Sequence, residues 1–167
     1  MINKKIVALT LAAGLAGSGA LSSISAFAAE QSKDTPVSYS SAQNIPDPEN
    51  PDAPDYVVNV PASITFTDNN KTIDTTVSMT NPDGSTYVGV KSAGVKVASK
   101  NNYKLKSGNH EVDYKLTYAG NVMSAAAQNI GTLNQTTNTV AGKAQLVGTA
   151  TATGNYTDVL TYTVTSN

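Results

Sequence analysis

The sequence predicts an all-β protein, an antiparallel β-sandwich of Ig-like or fimbrial-like type with about 8–9 strands. Three observations predict it. Apolar and polar residues alternate with a period of two in several short runs, the pattern of a pleated strand with one buried face. Clusters of Gly, Asn, Asp and Pro separate these runs at roughly 8–12-residue intervals. No segment carries an amphipathic helical period long enough to hold a helix in water.

The clearest alternation closes the chain. After the turn signal Gly154-Asn155, Leu160, Tyr162 and Val164 point one way, and Val159, Thr161, Thr163 and Thr165 the other. This strand is rich in β-branched and aromatic residues and is expected centrally in a sheet. Taken from the start of the domain, Tyr56–Val60 reads as a strand ended by Pro61. Ser63–Thr67 reads as a second, with Ile64 and Phe66 inward. The proline between them implies a bend or an edge. Asp68-Asn69-Asn70-Lys71 is turn chemistry. Thr72–Thr80 alternates Ile73, Val77 and Met79 against Asp74, Thr76 and Ser78, and Asn81-Pro82-Asp83-Gly84-Ser85 reverses the chain. Val88 and Val90 are out of phase with Val95 and Val97, so a bulge or turn is expected across Ser92-Ala93-Gly94.

Tyr103 and Leu105 mark a short strand, and Lys106-Ser107-Gly108-Asn109 a turn. Val112, Tyr114, Leu116 and Tyr118 alternate with Asp113, Lys115 and Thr117, and Ala119-Gly120-Asn121 turns the chain back. Ala125–Ala127 suggests at most one helical turn, and Ile130 and Leu133 are expected to hold a loop. Thr139–Thr153 reads as one long strand with bends at Gly142 and Gly148. The expected core includes Tyr114, Leu116, Leu160, Tyr162 and Val164.

Upstream of this domain the chain changes character twice. Lys4-Lys5, the apolar run from Ile6 to Ala20 and Ala26-Phe27-Ala28 form a signal peptide, residues 1–28, with a mature start at Ala29. Thr10, Gly14, Gly17, Ser18 and Gly19 interrupt the apolar run, which makes a poor membrane span. No cysteine follows the cleavage site, so no lipid anchor is expected there, and no sorting signal ends the chain. Residues 29–55 read as an extended acidic, proline-rich tail. Its Asp47, Glu49, Asp52 and Asp55 are interleaved with prolines and lack the glycine turn that a calcium loop needs. They are expected to be solvated. Within the tail, Val37–Ser40 has the alternation of a short edge strand, able to pair with its own sheet or a neighbour's. The sandwich domain is expected over residues 56–167.

Composition narrows the function classes. All 11 basic residues are lysines, against 12 acids, and the chain has no Cys and no Trp. Removing Lys4 and Lys5 with the leader leaves 9 lysines against 12 acids, a net charge of −3. No basic footprint for nucleic acid exists. A cysteine-free, Asn/Thr-rich exported domain has the composition of a Gram-positive extracellular protein, since other small exported domains lean on disulfides. The expected location is secreted or extracellular, held to the cell surface without a covalent bond.

Several stretches carry a resemblance. Pro36-Val37-Ser38-Tyr39, Ile45-Pro46-Asp47-Pro48, Val60-Pro61-Ala62-Ser63-Ile64-Thr65-Phe66-Thr67-Asp68 and Lys71-Thr72 resemble small surface proteins exported by Gram-positive bacteria. Gly154–Tyr162 is similar to the last strand of spore coat protein U-type and other fimbrial-type sandwich subunits. The WxL cell-wall-binding domains are a neighbouring group, but their Trp-x-Leu motifs are missing here. The resemblance implies a β-sandwich and no enzymatic activity.

The residues themselves announce no chemistry. His110, the single histidine, sits in a turn beside Glu111, and no G-x-S-x-G nucleophile elbow is present. Glu111 and Asp113 are an i, i+2 pair on one strand and do not face each other across a cleft. One histidine and no cysteine cannot make a zinc site of the usual kind. No catalytic, cofactor-binding or metal residues are therefore expected, and no cofactor. Two binding features remain open. Tyr39, Tyr56, Tyr87, Tyr103 and Tyr156 are candidate sugar-stacking faces, and Lys91 or Lys115 could enter a lysine–asparagine isopeptide link. The expected function is a non-catalytic, secreted structural or adhesive surface protein, with a self-associating subunit as one form. The alternative is a carbohydrate-binding module. Its partner would be a cell-wall component, a glycan or another surface protein. Coplanar exposed tyrosines would favour glycan binding; buried tyrosines and an open sheet edge would favour assembly.

Overall fold

A computed structural model describes residues 43–124 and 127–167. The signal peptide, the start of the tail with its strand at 37–40, and Ala125-Ala126 lie outside the described residues. The described chain is all-β and antiparallel, a sandwich of twelve strands, slightly more than expected. In order they are β1 (Gln43–Pro46), β2 (Val57–Val60), β3 (Thr72–Asp74), β4 (Val77–Thr80), β5 (Ala93–Ser99), β6 (Lys104–Ser107), β7 (His110–Tyr118), β8 (Asn121–Val122), β9 (Gln128–Leu133), β10 (Thr139–Val140), β11 (Gly142–Leu146) and β12 (Leu160–Ser166). They form three sheets, β1-β2-β4-β10, β3-β11-β7-β6 with β8 added to β7, and β12-β5-β9.

The excess over the expected number arises in part because two predicted strands each split at a corner, and in part because β1 and β9 form where no strand was expected. Thr72–Thr80 leaves one sheet as β3 and enters another as β4, and the strand expected over Thr139–Thr153 does the same as β10 and β11 and ends at Leu146, short of Thr153. The corners coincide: the Thr75 amide donates to the Gly142 carbonyl at 3.0 Å. A Cβ at Gly142 would collide with the Tyr118 ring and the Thr75 hydroxyl, so the crossing requires glycine. Strands that switch sheets at such bends close the corners of a sandwich.

β7 carries the central alternation. Val112, Tyr114, Leu116 and Tyr118 are buried, while Glu111, Asp113 and Lys115 face solvent. Tyr114, Leu116 and Tyr118 build one core together with Tyr56, Val58, Val77, Met79, Val95, Val97 and Leu133. The turn after β7 has positive φ at both central residues, Ala119 at 47° and Gly120 at 80°. That is the type I′ reversal whose twist matches a two-residue hairpin.

Several expectations are corrected. Ile130 and Leu133 lie in β9, not in a loop, and both are buried despite a spacing of three. A bulge permits this: Val95 faces Gly131 and Lys96 faces Asn129, leaving Ile130 as the extra residue. The phase break before Val95 is the start of β5, and Val88 and Val90 belong to an exposed loop. Ser63–Thr67 makes no ladder beyond a bridge from Thr67 to Asn70. Its Ile64 and Phe66 are half-buried against the core.

The first sheet begins at Gln43, upstream of the Tyr56 start expected for the domain, because Gln43–Pro46 pairs residue for residue with Val57–Val60. The closing strand β12 is an edge, not a central strand, and pairs only with β5 among the described residues. Its inward residues are accordingly graded: Val164 is buried, whereas Leu160 and Tyr162 are half-buried. No helix among the described residues is long and apolar enough to cross a membrane.

Candidate functional site: the edge of strand β12 and its groove

Two polar hubs and one groove stand out. The groove has a volume of about 240 Å3 and lies at the β12 edge. Leu160 and Tyr162 of β12, Ile64 and Phe66 of the unpaired segment, Leu105 of β6 and Tyr114 of β7 supply its apolar lining. Gln43, Ser63 and Asp158 supply polar groups. The rings of Phe66 and Tyr114 are 5.9 Å apart and tilted by 49°.

Asp158 is the first hub. Its Oδ2 accepts from Ser99 Oγ and from the Tyr114 hydroxyl, both at 2.6 Å. Its Oδ1 accepts from the amides of Asn101 at 2.9 Å and Val159 at 2.7 Å. A carboxylate offers roughly four acceptor sites, and here each is used. Asp158 therefore holds structure at four points. It fixes the loop in which Asn102 (φ 56°) and Tyr103 (φ 60°) take left-handed conformations unusual for side-chain-bearing residues. Ser99 Oγ completes this hold by accepting from the Tyr103 amide at 2.6 Å. Burial and the hydrogen bond to Asp158 push the Tyr114 hydroxyl far above the ordinary tyrosine range, so it stays protonated as the donor.

A second tyrosine pair lies against the same sheet. The Tyr118 hydroxyl donates to the Thr75 carbonyl at 2.8 Å and is 2.8 Å from the Tyr162 hydroxyl, with the rings edge-to-face. The single Tyr118 proton is committed to Thr75, so Tyr162 is the donor to Tyr118. Burial raises both hydroxyls well above their usual titration range.

Lys91 is the second hub, and sequence reasoning missed its main partner. Its Nζ lies 2.8 Å from Asp47, 2.9 Å from Asp55 and 3.5 Å from Glu49. The acidic run is therefore folded onto the domain at these points and not simply solvated. Asp47 is fully covered, and its Oδ1 also accepts from the Glu49 amide at 3.1 Å. Burial pushes the Asp47 carboxyl up, but the Lys91 hydrogen bond, the Glu49 amide and the Lys91 charge outweigh it, leaving it below its ordinary value. The hydrogen bonds that Lys91 donates to Asp47 and Asp55 raise its own value correspondingly. An isopeptide bond needs a neutral amine and an activated carbonyl; this arrangement keeps both partners ionised, so it is an ion-pair clasp. Lys115 is exposed on β7.

The remaining candidates separate. Tyr56, Tyr87 and Tyr103 are buried, with Tyr56 and Tyr87 packed edge-to-face at 6.0 Å. Tyr156 is half-buried and donates to the Ala152 carbonyl at 3.0 Å; Tyr39 lies outside the described residues. His110 is exposed at the start of β7, 3.4 Å from the Thr151 hydroxyl. Glu111 and Asp113 face solvent and pair across strands with Lys104 and Lys106 at 2.9–3.1 Å. Among the described residues, no three His, Cys, Asp or Glu side chains cluster as a metal site would require. Comparisons with family models, with curated proteins and with solved structures find no match to this chain.

Proposed function

We propose that this chain is a non-catalytic, secreted surface protein of structural or adhesive role, whose working surface is the β12 edge and the groove beside it. The observation that carries the reading is the state of that edge. Seven consecutive residues, Leu160–Ser166, pair on one side with β5 and leave the other side without a partner among the described residues. A row of free N–H and C=O groups is what strand-addition recognition uses. The burial of Tyr56, Tyr87 and Tyr103 supports assembly over sugar stacking. The leader Lys4-Lys5 to Ala28 and the resemblance to Gram-positive spore coat U-type, fimbrial-type and WxL-like surface domains support export and a place at the wall.

Expression in a Gram-positive host tests this. The expected product begins at Ala29 and is found in the medium and in the wall fraction, from which denaturant or concentrated salt releases it intact. Retention in the cytoplasm with residues 1–28 still attached would overturn the reading.

A carbohydrate-binding module is the second reading, favoured by Phe66, Tyr114 and Tyr162 lining one groove with Gln43 and Ser63. Titration with soluble peptidoglycan fragments separates the two: saturable quenching of tyrosine fluorescence, abolished by Phe66→Ala, would favour the glycan reading.

A further inference from the structure

We propose that the partner of the β12 edge is a second copy of the same strand: two chains pair β12 to β12, antiparallel, about a two-fold axis through Thr163. This rests on the surface-protein reading above and adds to it the partner and the register.

The other edges are each blunted in a way that β12 is not. β8 and β10 have two residues each and β3 three. β9 carries the bulge at Ile130. β6 carries Lys104 and Lys106, and its edge is bridged by Thr157. β1 ends in Pro46. Charges, prolines, bulges and short strands are the usual devices that keep an edge from pairing. β12 has none of them: Leu160-Thr161-Tyr162-Thr163-Val164-Thr165-Ser166 contains no charge and no proline, and its register with β5 runs unbroken over all seven residues.

The strand is also self-complementary. With the axis through Thr163, Thr163 meets Thr163 of the second copy, Tyr162 meets Val164, Thr161 meets Thr165, and Leu160 meets Ser166. The threonine pairs fall on the exposed face and the Tyr–Val pairs on the inward face. Threonine–threonine and aromatic–β-branched pairs are favourable across strands, and like charges directly opposite are not. Here no charges meet, so the negative charge of the chain elsewhere is not brought into the contact.

The area argues for a weak, reversible dimer. A seven-residue strand spans about 23 Å, so pairing one edge covers well under the roughly 800 Å2 per partner of a standard stable interface. Dimerisation should therefore depend on concentration and become visible towards about 1 mM, the weak end of the affinity scale.

Sedimentation equilibrium on the exported chain tests the pairing, using substitutions at the exposed Thr163, with circular dichroism and melting as controls for folding. The wild type is expected to dimerise as concentration rises. Thr163→Lys, which places like charges opposite each other at the axis and beside Lys96 of β5, should weaken the dimer by about two- to fivefold, and Thr163→Glu, whose carboxylate also faces Lys96, by a smaller factor. An equimolar mixture of the two variants should recover dimerisation, because the charges then attract. A wild type monomeric up to about 1 mM, variants that dimerise like the wild type, or a mixture without recovery would each overturn the proposal. If the proposal falls while the protein still partitions to the wall, the surface reading stands with a different partner strand. Loss of both removes both.

Discussion

The Tyr118–Tyr162 pair gives a prediction in which the direction of one hydrogen bond sets the outcome. Tyr118 is 1% exposed and its hydroxyl donates to the Thr75 carbonyl; Tyr162, half-buried at the sheet edge, donates to Tyr118. Removing the Tyr118 hydroxyl in Tyr118→Phe leaves two groups without their partner, the Thr75 carbonyl and the Tyr162 hydroxyl. Removing the Tyr162 hydroxyl leaves Tyr118 still donating and costs only one acceptor contact. A buried group left unpaired costs about 1–3 kcal/mol, and a typical net hydrogen bond contributes about 0.5–1.5 kcal/mol. Tyr118→Phe should therefore cost about 2–3 kcal/mol and Tyr162→Phe about 1 kcal/mol or less. The edge-to-face ring contact survives in both, since phenylalanine keeps the ring. In the double variant the orphaned Tyr162 hydroxyl is gone, so its cost should be no greater than that of Tyr118→Phe alone, a coupling that distant sites do not show. Urea unfolding followed by circular dichroism, with an unchanged slope confirming two-state comparison, reads all three values. Tyr162→Phe costing as much as Tyr118→Phe, or strictly additive effects in the double variant, would refute the assignment of donor and acceptor.

Three further outcomes are expected. Leu116→Ala should cost roughly 2–5 kcal/mol in the same unfolding assay, as for a fully buried leucine, whereas the half-buried Leu160→Ala should cost only about 1 kcal/mol. Equal costs would place β12 deeper than its edge position implies. Ala119 holds φ 47° in the type I′ turn, so Ala119→Asn should raise stability by about 0.5–1 kcal/mol and Gly120→Ala, at φ 80°, should lower it by a similar amount; no change in melting temperature for either would contradict the turn geometry. Asp47 is held below its ordinary value of 3.8 in the folded chain, so its contribution is present above that pH and is lost as pH falls through the lowered value. The wild type should melt higher than Asp47→Asn at neutral pH, with the gap closing below pH 3.8; a gap independent of pH would show that Asp47 does not act through its charge.

Local pattern alone determined the class of the fold and most of the individual strands. Alternation along Val112–Tyr118 needs nothing but the period of two and a hydrophobic interior to place four side chains inside and the charges out. The same holds for turns written in their own residues: Asn81 accepts from the Gly84 amide at 2.9 Å, and Gly84 takes φ 84°. What the pattern could not carry was anything set by residues distant in the chain. A period of two reads the same through a corner, so Thr72–Thr80 and Thr139–Leu146 looked continuous; only the meeting of Thr75, Tyr118 and Gly142 divides them. A bulge hides in spacing, which is why Ile130 and Leu133 looked like loop residues. The Asp47 clasp spans 44 positions to Lys91, and nothing in a run of prolines and acids marks which carboxylate will be covered. Whether a strand is central or at an edge depends on which partners the rest of the chain supplies, not on its own residues. Leu160–Ser166 has the composition of a central strand, and the tertiary structure alone made it an edge among the described residues.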